Sequence, residues 1–146
     1  MELALQEALR AESVGEVPVG ALVIREGEII GRGHNRTIVD HDPTAHAEIV
    51  AMRQAAEHVG NHRLVGCVLF ATIEPCSMCA GAMIHARLAR LVYGAADPKA
   101  GAAGSVLEVI NHPRLNHWME VTPGVLQNQC SEILQKFFRK ARQKTE

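Results

Sequence analysis

The chain has 146 residues, 47% of them hydrophobic and 21% charged, with a formal net charge of −1. Such a length suits one domain around one core, and the balance is that of a soluble globular protein, not of a disordered chain. The near-zero net charge excludes a strong global field drawing the molecule to nucleic acid.

Taken in chain order, Leu5, Ala8 and Leu9 predict an amphipathic helix over 2–13. Its first residues, Met1-Glu2-Leu3-Ala4-Leu5, have neither the basic start nor the cleavage site of a signal peptide. No apolar run approaches the roughly 20 residues that a membrane-spanning helix needs, so a cytoplasmic protein with no membrane association is the expectation. Apolar, β-branched runs at 17–25 and 28–35 flank Glu26-Gly27 and predict a hairpin. Asp42-Pro43-Thr44 reads as a turn capping a helix over 45–59, with Ile49, Met52, Ala56 and Val59 at helical spacing on its buried side. A strand over 67–72, a helix over 76–86 and a strand over 88–94 follow. A Gly/Ala loop at 99–104 leads to a short helix over 105–110. A long helix over 123–144 places Leu126, Cys130, Ile133, Leu134, Phe137 and Phe138 on one face. This order predicts a mixed sheet covered by helices on both faces.

Two short segments carry the chemistry. His46-Ala47-Glu48 and Pro75-Cys76-Ser77-Met78-Cys79 each stand at the start of a predicted helix. In a reducing compartment disulfides are rare, so Cys-x-x-Cys spacing points to metal or redox chemistry. His46, Cys76 and Cys79 offer one imidazole and two thiolates, which suits a tetrahedral zinc with the fourth position left for water. Cys76 and Cys79, three apart, share a helix face, whereas His46 and Glu48, two apart, diverge on a helix body. The metal must therefore lie beyond the helix N-terminus, where the positive dipole end also favours thiolates. Alone, His-x-Glu carries nothing, and Cys-x-x-Cys equally fits a redox pair or half of a structural zinc knuckle. In order and with Pro75, however, the two segments resemble the signature of the zinc-dependent deaminases.

Charge counting assigns Glu48. Zinc with two thiolates and a neutral imidazole is formally neutral and gains little from a further anion. Glu48 is better used moving a proton from water to the ring nitrogen beside the attacked carbon, and then helping ammonia to depart. The other cysteines, Cys67 and Cys130, fall on apolar stretches and are expected in the core. Of the remaining histidines, His34 and His85 could reach the pocket, while His41, His58, His62, His112 and His117 are expected on the surface or in loops.

Four longer stretches narrow the choice: Glu16-Val17-Pro18-Val19-Gly20-Ala21, His41-Asp42-Pro43-Thr44-Ala45-His46-Ala47-Glu48, Glu74-Pro75-Cys76-Ser77-Met78-Cys79-Ala80-Gly81-Ala82-Met83-Ile84-His85 and Gly101-Ala102-Ala103-Gly104-Ser105. With the ending Phe137-Phe138-Arg139, the chain resembles the bacterial tRNA adenosine deaminases of the cytidine-deaminase superfamily over nearly its whole length. It opens at a point that looks like the inside of that family's first helix, without the usual short upstream extension. The resemblance implies a single deaminase domain over 1–146 with a three-layer α/β/α fold on a mixed sheet of about five strands. It also implies one zinc per subunit, a homodimer, and a tRNA anticodon stem-loop as substrate, with wobble adenosine converted to inosine. Asn35 would then hydrogen-bond the nucleotide, the backbone at Ala47 would read the base edge, Val17 would pack on the base and Asp97 would lie near the ribose. Phe138, Arg139 and Arg142 would hold the stem-loop.

Residue by residue the alternatives stay open: Asn35 as a strand-end turn residue, Asp97 as a cap before Pro98, Val17 as core. The tail from Lys136 carries Arg139, Lys140, Arg142 and Lys144 against one acid, Glu146, and reads equally as a solvated helix end. Aromatic residues make up only 3% of the chain, so extensive base stacking is not expected. Two rivals share the metal site: a deaminase of a free nucleoside or base, of cytidine or guanine type, and a non-catalytic zinc module in which Glu48 would be dispensable.

Overall fold

Five strands form one mixed sheet in the order β2-β1-β3-β4-β5 in a computed structural model that describes residues 1–145. Glu146, the acid counted in the tail, lies outside the described residues. The elements run α1 (Glu2–Ser13), β1 (Gly20–Arg25), β2 (Glu28–His34), α2 (Ala47–Val59), β3 (Val68–Ile73), α3 (Ser77–His85), β4 (Arg90–Ala95), β5 (Glu120–Thr122) and α4 (Gln127–Thr145). β1 pairs antiparallel with both β2 and β3, while β3–β4 and β4–β5 are parallel. The Glu26-Gly27 turn adopts positive φ at both residues, 51° and 77°, as a tight hairpin requires.

Glycines show which helix covers which face. A Cβ on Gly31 or Gly33 of β2 would run into the backbone of α2, and one on Gly20 of β1 into the backbone of α1. A Cβ on Gly94 of β4 would meet the Cys130 side chain of α4. Register pairs Ala21 with Gly33 and Val23 with Gly31, so these residues share the α2 side with the main core, which also holds Leu69, Met83 and Leu91. α1 and α4 take the opposite side, where Lys140 approaches Glu12 at 3.9 Å. The result is the expected three-layer α/β/α arrangement.

Several details differ from the sequence expectation. Residues 105–110 form turns, with an isolated bridge between Ala103 and Glu108, instead of a helix. The buried Glu74 carboxylate ties down this segment through Ala103 and Ser105, and that outweighs local propensity. A short edge strand, β5, which the sequence did not predict, precedes the last helix, and that helix begins at Gln127 and not at 123. α2 buries Ala47, Glu48, Ala51, Met52 and Ala55, a face rotated from the expected stripe, of which Ile49, Ala56 and Val59 are only partly buried. In α4 only Cys130 is buried. Cys67 is buried too, as expected for core cysteines. No helix among the described residues is long and apolar enough to cross a membrane.

Gly33 sets how closely α2 begins against the sheet. Gly33→Ala should destabilise the protein by about 1–3 kcal/mol, as overpacking does, lowering the melting temperature by roughly 2–4 °C per kcal/mol. Thermal unfolding followed by circular dichroism checks this.

Candidate active site

Both helices that open onto the site begin with a residue that is not itself helical. His46 is the N-cap of α2 (φ −71°, ψ 155°) and Cys76 the N-cap of α3 (φ −75°, ψ 176°). An extended N-cap turns its side chain past the helix end, which brings His46 beside Cys76 although each helix packs separately on the sheet. Cys79 then reaches the same point from one turn inside α3. Neither N-cap makes the usual side-chain bond to its own helix. α3 starts just beyond the carboxyl end of β3, one of the parallel strands, where open α/β sheets place their sites. On the α2 side, Asp42 shapes the approach by accepting from the Thr44 N–H at 2.8 Å and the Thr44 hydroxyl at 2.7 Å.

The donor set fits a metal. One ligand atom from each of His46, Cys76 and Cys79 lies within 4.8 Å of the other two. Nδ1 of His46 is 3.5 Å from each sulfur. A tetrahedral zinc with bonds of about 2.3 Å to sulfur and about 2.0–2.1 Å to nitrogen separates such ligand atoms by about 3.6 Å. Without metal the three share protons. The Cys76 thiol is pulled down to about 3, first by the hydrogen bond from Cys79 and then, against the burial penalty, by His46. Cys79 is pushed up, because it keeps that shared proton and is itself buried. The hydrogen bond to Cys76 raises His46 above its ordinary value.

Glu48, in the first turn of α2, is 3% exposed. Burial pushes its carboxyl above the ordinary value, while its own backbone N–H and the nearby His46 oppose the shift. Burial thus makes this carboxyl hold a proton more readily than an exposed one, which suits proton transfer.

A cleft of about 590 Å³ opens over these groups, within the size range of small-molecule sites. Its wall includes Val17, Asn35, Ala47, Glu48 and Asp97, together with His46 and Cys76. Phe138 and Arg142 of α4 close one side. Arg139 is outside this cleft and lines an adjoining groove of about 480 Å³ that shares Asp97, Lys99, Phe138 and Arg142 with it. Asp97 also caps the turn after β4, its carboxylate accepting from the Lys99 and Ala100 N–H groups at 3.0 and 3.2 Å, and the same residue lines the cleft. Neither histidine singled out for the pocket reaches it. His34 turns away to Glu7 at 3.4 Å, and His85 is exposed on the far side of α3.

Sequence reasoning missed the residues that hold these walls in place. Lys99 and Thr37 line the cleft. Glu74, 1% exposed, accepts from the backbone of Asp97 at 3.1 Å, Ala103 at 2.9 Å and Ser105 at 3.1 Å, and from the Ser105 hydroxyl. Burial alone would raise its carboxyl, but these donors together bring it below the ordinary value. Glu16 is likewise buried beneath the opposite wall. Their partners are mostly backbone amides, so neither Gly15-Glu16-Val17 nor Ile73-Glu74-Pro75 marks its acid as an organiser in the sequence.

Residues 1–142 match the MafB19-like deaminase family. A tRNA-specific adenosine deaminase of Haemophilus influenzae is 49% identical over 98% of this chain and 83% of its own length. A solved structure from a study of A-to-I editing by tRNA:A34 deaminases at the wobble position is 46% identical, covers 92% of this chain and 97% of that one, and superposes with a TM-score of 0.89. A guanine deaminase structure from Bacillus subtilis is 38% identical over 70% of this chain and 66% of its own, with a TM-score of 0.65.

Metal loading must displace the proton on Cys79 and whatever fraction remains on His46, because ligands bind deprotonated. Calorimetry in buffers of different ionisation enthalpy at pH 7 should therefore find between about one and two protons released per zinc bound. Because the bond to Cys76 raises it, His46 takes up a proton at higher pH than an ordinary imidazole, so zinc affinity should fall as pH falls.

Proposed function

Because this chain belongs to the MafB19-like deaminase family and, within it, to the tRNA adenosine deaminases of the cytidine-deaminase superfamily, we propose that it converts the wobble adenosine of a tRNA anticodon to inosine, with water consumed and ammonia released. The observation that carries the polynucleotide substrate is that the cleft over the metal donors is walled at its mouth by Arg142 and Lys99 and continues into a groove bearing Arg139. A free base or nucleoside has no phosphate for these cations to meet.

The metal is zinc, one per subunit, held by His46, Cys76 and Cys79. When bound there it acts as a Lewis acid, bringing the pKa of water to about 7 and so supplying a nucleophile at neutral pH. Glu48 takes the proton from the attacking water, passes it to the ring nitrogen next to the attacked carbon, and assists the loss of ammonia. Asn35 hydrogen-bonds the nucleotide, the Ala47 backbone meets the base edge, Val17 packs on the base, and Asp97 lies by the ribose. The wobble base must leave its stack to reach this depth, which is least costly in a single-stranded loop. Phe138, Arg139 and Arg142 hold the stem-loop beside the cleft. One deaminase domain fills the chain, and the family resemblance supports a cytoplasmic homodimer whose subunits both touch RNA.

Purified protein given an anticodon stem-loop with adenosine at the wobble position should yield inosine on nucleoside analysis, while free adenosine, cytidine and guanine stay unchanged. Product from a free base or nucleoside alone would replace the RNA reading with the free-base one. Glu48→Ala should bind a full complement of zinc and lose turnover; retained turnover would reject the proton-transfer role. In binding titrations, Arg139→Ala and Arg142→Ala should each flatten the dependence of log affinity on log salt by about 0.7, the contribution of one phosphate on a single strand.

A further inference from the structure

Asn35 follows β2 at the cleft wall and is 8% exposed. Its carboxamide has two ends of nearly the same shape and opposite chemistry, a donating Nδ2 and an accepting Oδ1. Shape alone does not choose between them. Behind it lies Glu16, wholly buried in the segment between α1 and β1. Oε1 of Glu16 accepts from the backbone N–H groups of Ile38 and Val39, each at 2.8 Å. Oε2 accepts from Asn35 Nδ2 at 3.2 Å and from the Thr37 hydroxyl at 3.4 Å. A carboxylate only accepts, so the amide end of Asn35 must face it.

We infer that Glu16 is a positioning residue that fixes which end of the Asn35 carboxamide meets the bound nucleotide, and thereby which hydrogen-bonding edge the cleft admits. The inference rests on the proposed contact between Asn35 and the nucleotide. Nothing else among the hydrogen bonds of the described residues holds the Asn35 side chain. Glu16 is anchored on its other oxygen by two backbone donors, so it cannot turn to suit Asn35. The order of control therefore runs from the Ile38–Val39 backbone, through a buried carboxylate, to a cleft-facing amide.

Glu16→Gln tests this. The Ile38 and Val39 amides demand an acceptor where Oε1 stands, so the new carbonyl takes that place and the new NH₂ group falls opposite Asn35. Two donors then face each other, and the Asn35 carboxamide must turn over, exchanging donor and acceptor in the cleft. The Thr37 hydroxyl adapts by rotation. With the stem-loop substrate, KM should rise about tenfold with kcat little changed, the size of one misdirected hydrogen bond. In the Asn35→Ala background the same Glu16→Gln change should have no further effect, because the group it acts through is gone. Equal losses in both backgrounds would mean that Glu16 only supports the 36–39 loop, and an unchanged KM for Glu16→Gln would likewise overturn the inference. Asn35→Ala by itself tests the underlying reading: if KM does not move, Asn35 is no substrate contact, and the fault lies there. A second arm guards against poor folding of Glu16→Gln alone. Asn35→Asp sets carboxylate against carboxylate and should be worse than Asn35→Ala, and adding Glu16→Gln should recover it because an amide again faces a carboxylate with the roles exchanged. A purely structural Glu16 gives no such recovery.

Discussion

Three ligand atoms from two separate helices must meet within 4.8 Å, and they do so because two N-cap residues stay extended while the chain behind them turns helical. Were His46 or Cys76 wound into its helix, its side chain would lie along the helix flank and the donors would part. The sheet enforces the arrangement. Glycines in β2 let the first turn of α2 rest on the backbone, and the parallel β3–β4 pair sets where α3 starts. At the start of α3 the Cys79 backbone N–H donates to the Cys76 sulfur, and the positive dipole end of each helix favours negative charge there.

Two buried carboxylates do for the cleft walls what the strands do for the metal donors. Glu16 gathers the backbone of residues 38 and 39 with Asn35 on one side, and Glu74 gathers residues 97, 103 and 105 on the other. Each replaces regular secondary structure with a hub of donors around one acceptor group, which holds irregular backbone in one conformation near a site. Glu74 adds a covalent link, since it stands two residues before Cys76. The loop that presents Asp97 and the turn that presents a metal donor thus share one anchor.

The sequence made the metal donors legible because their chemistry demands a fixed residue set at a fixed spacing, and nothing else in the chain competes for it. The hairpin, α2, β3, α3 and β4 were legible from apolar periodicity and turn residues, each within a few residues. Periodicity failed at 105–110, where a helical pattern exists but the Glu74 hub holds the backbone as turns. It also failed for β5, a three-residue edge strand too short to show alternation. The histidines misled for a related reason: nearness of His34 to Asn35 in sequence says nothing of direction, and alternate strand residues point to opposite faces. Glu16 and Glu74 were invisible as organisers because their partners are mostly backbone amides, which every residue type provides.

α4 is seated differently from the rest. Its one buried residue, Cys130, rests over Gly94, while Leu134, Phe138 and Arg142 reach back to the cleft. The metal donors belong to the dense core under α2 and α3, so the two halves of the site sit in structural units of unequal local stability. Under thermal or denaturant stress the helix that closes one side of the cleft should therefore release first, while the core that holds the metal donors keeps its structure. Metal stoichiometry therefore overstates the active fraction of a damaged preparation, and an assay of enzyme quality has to report on the C-terminal helix.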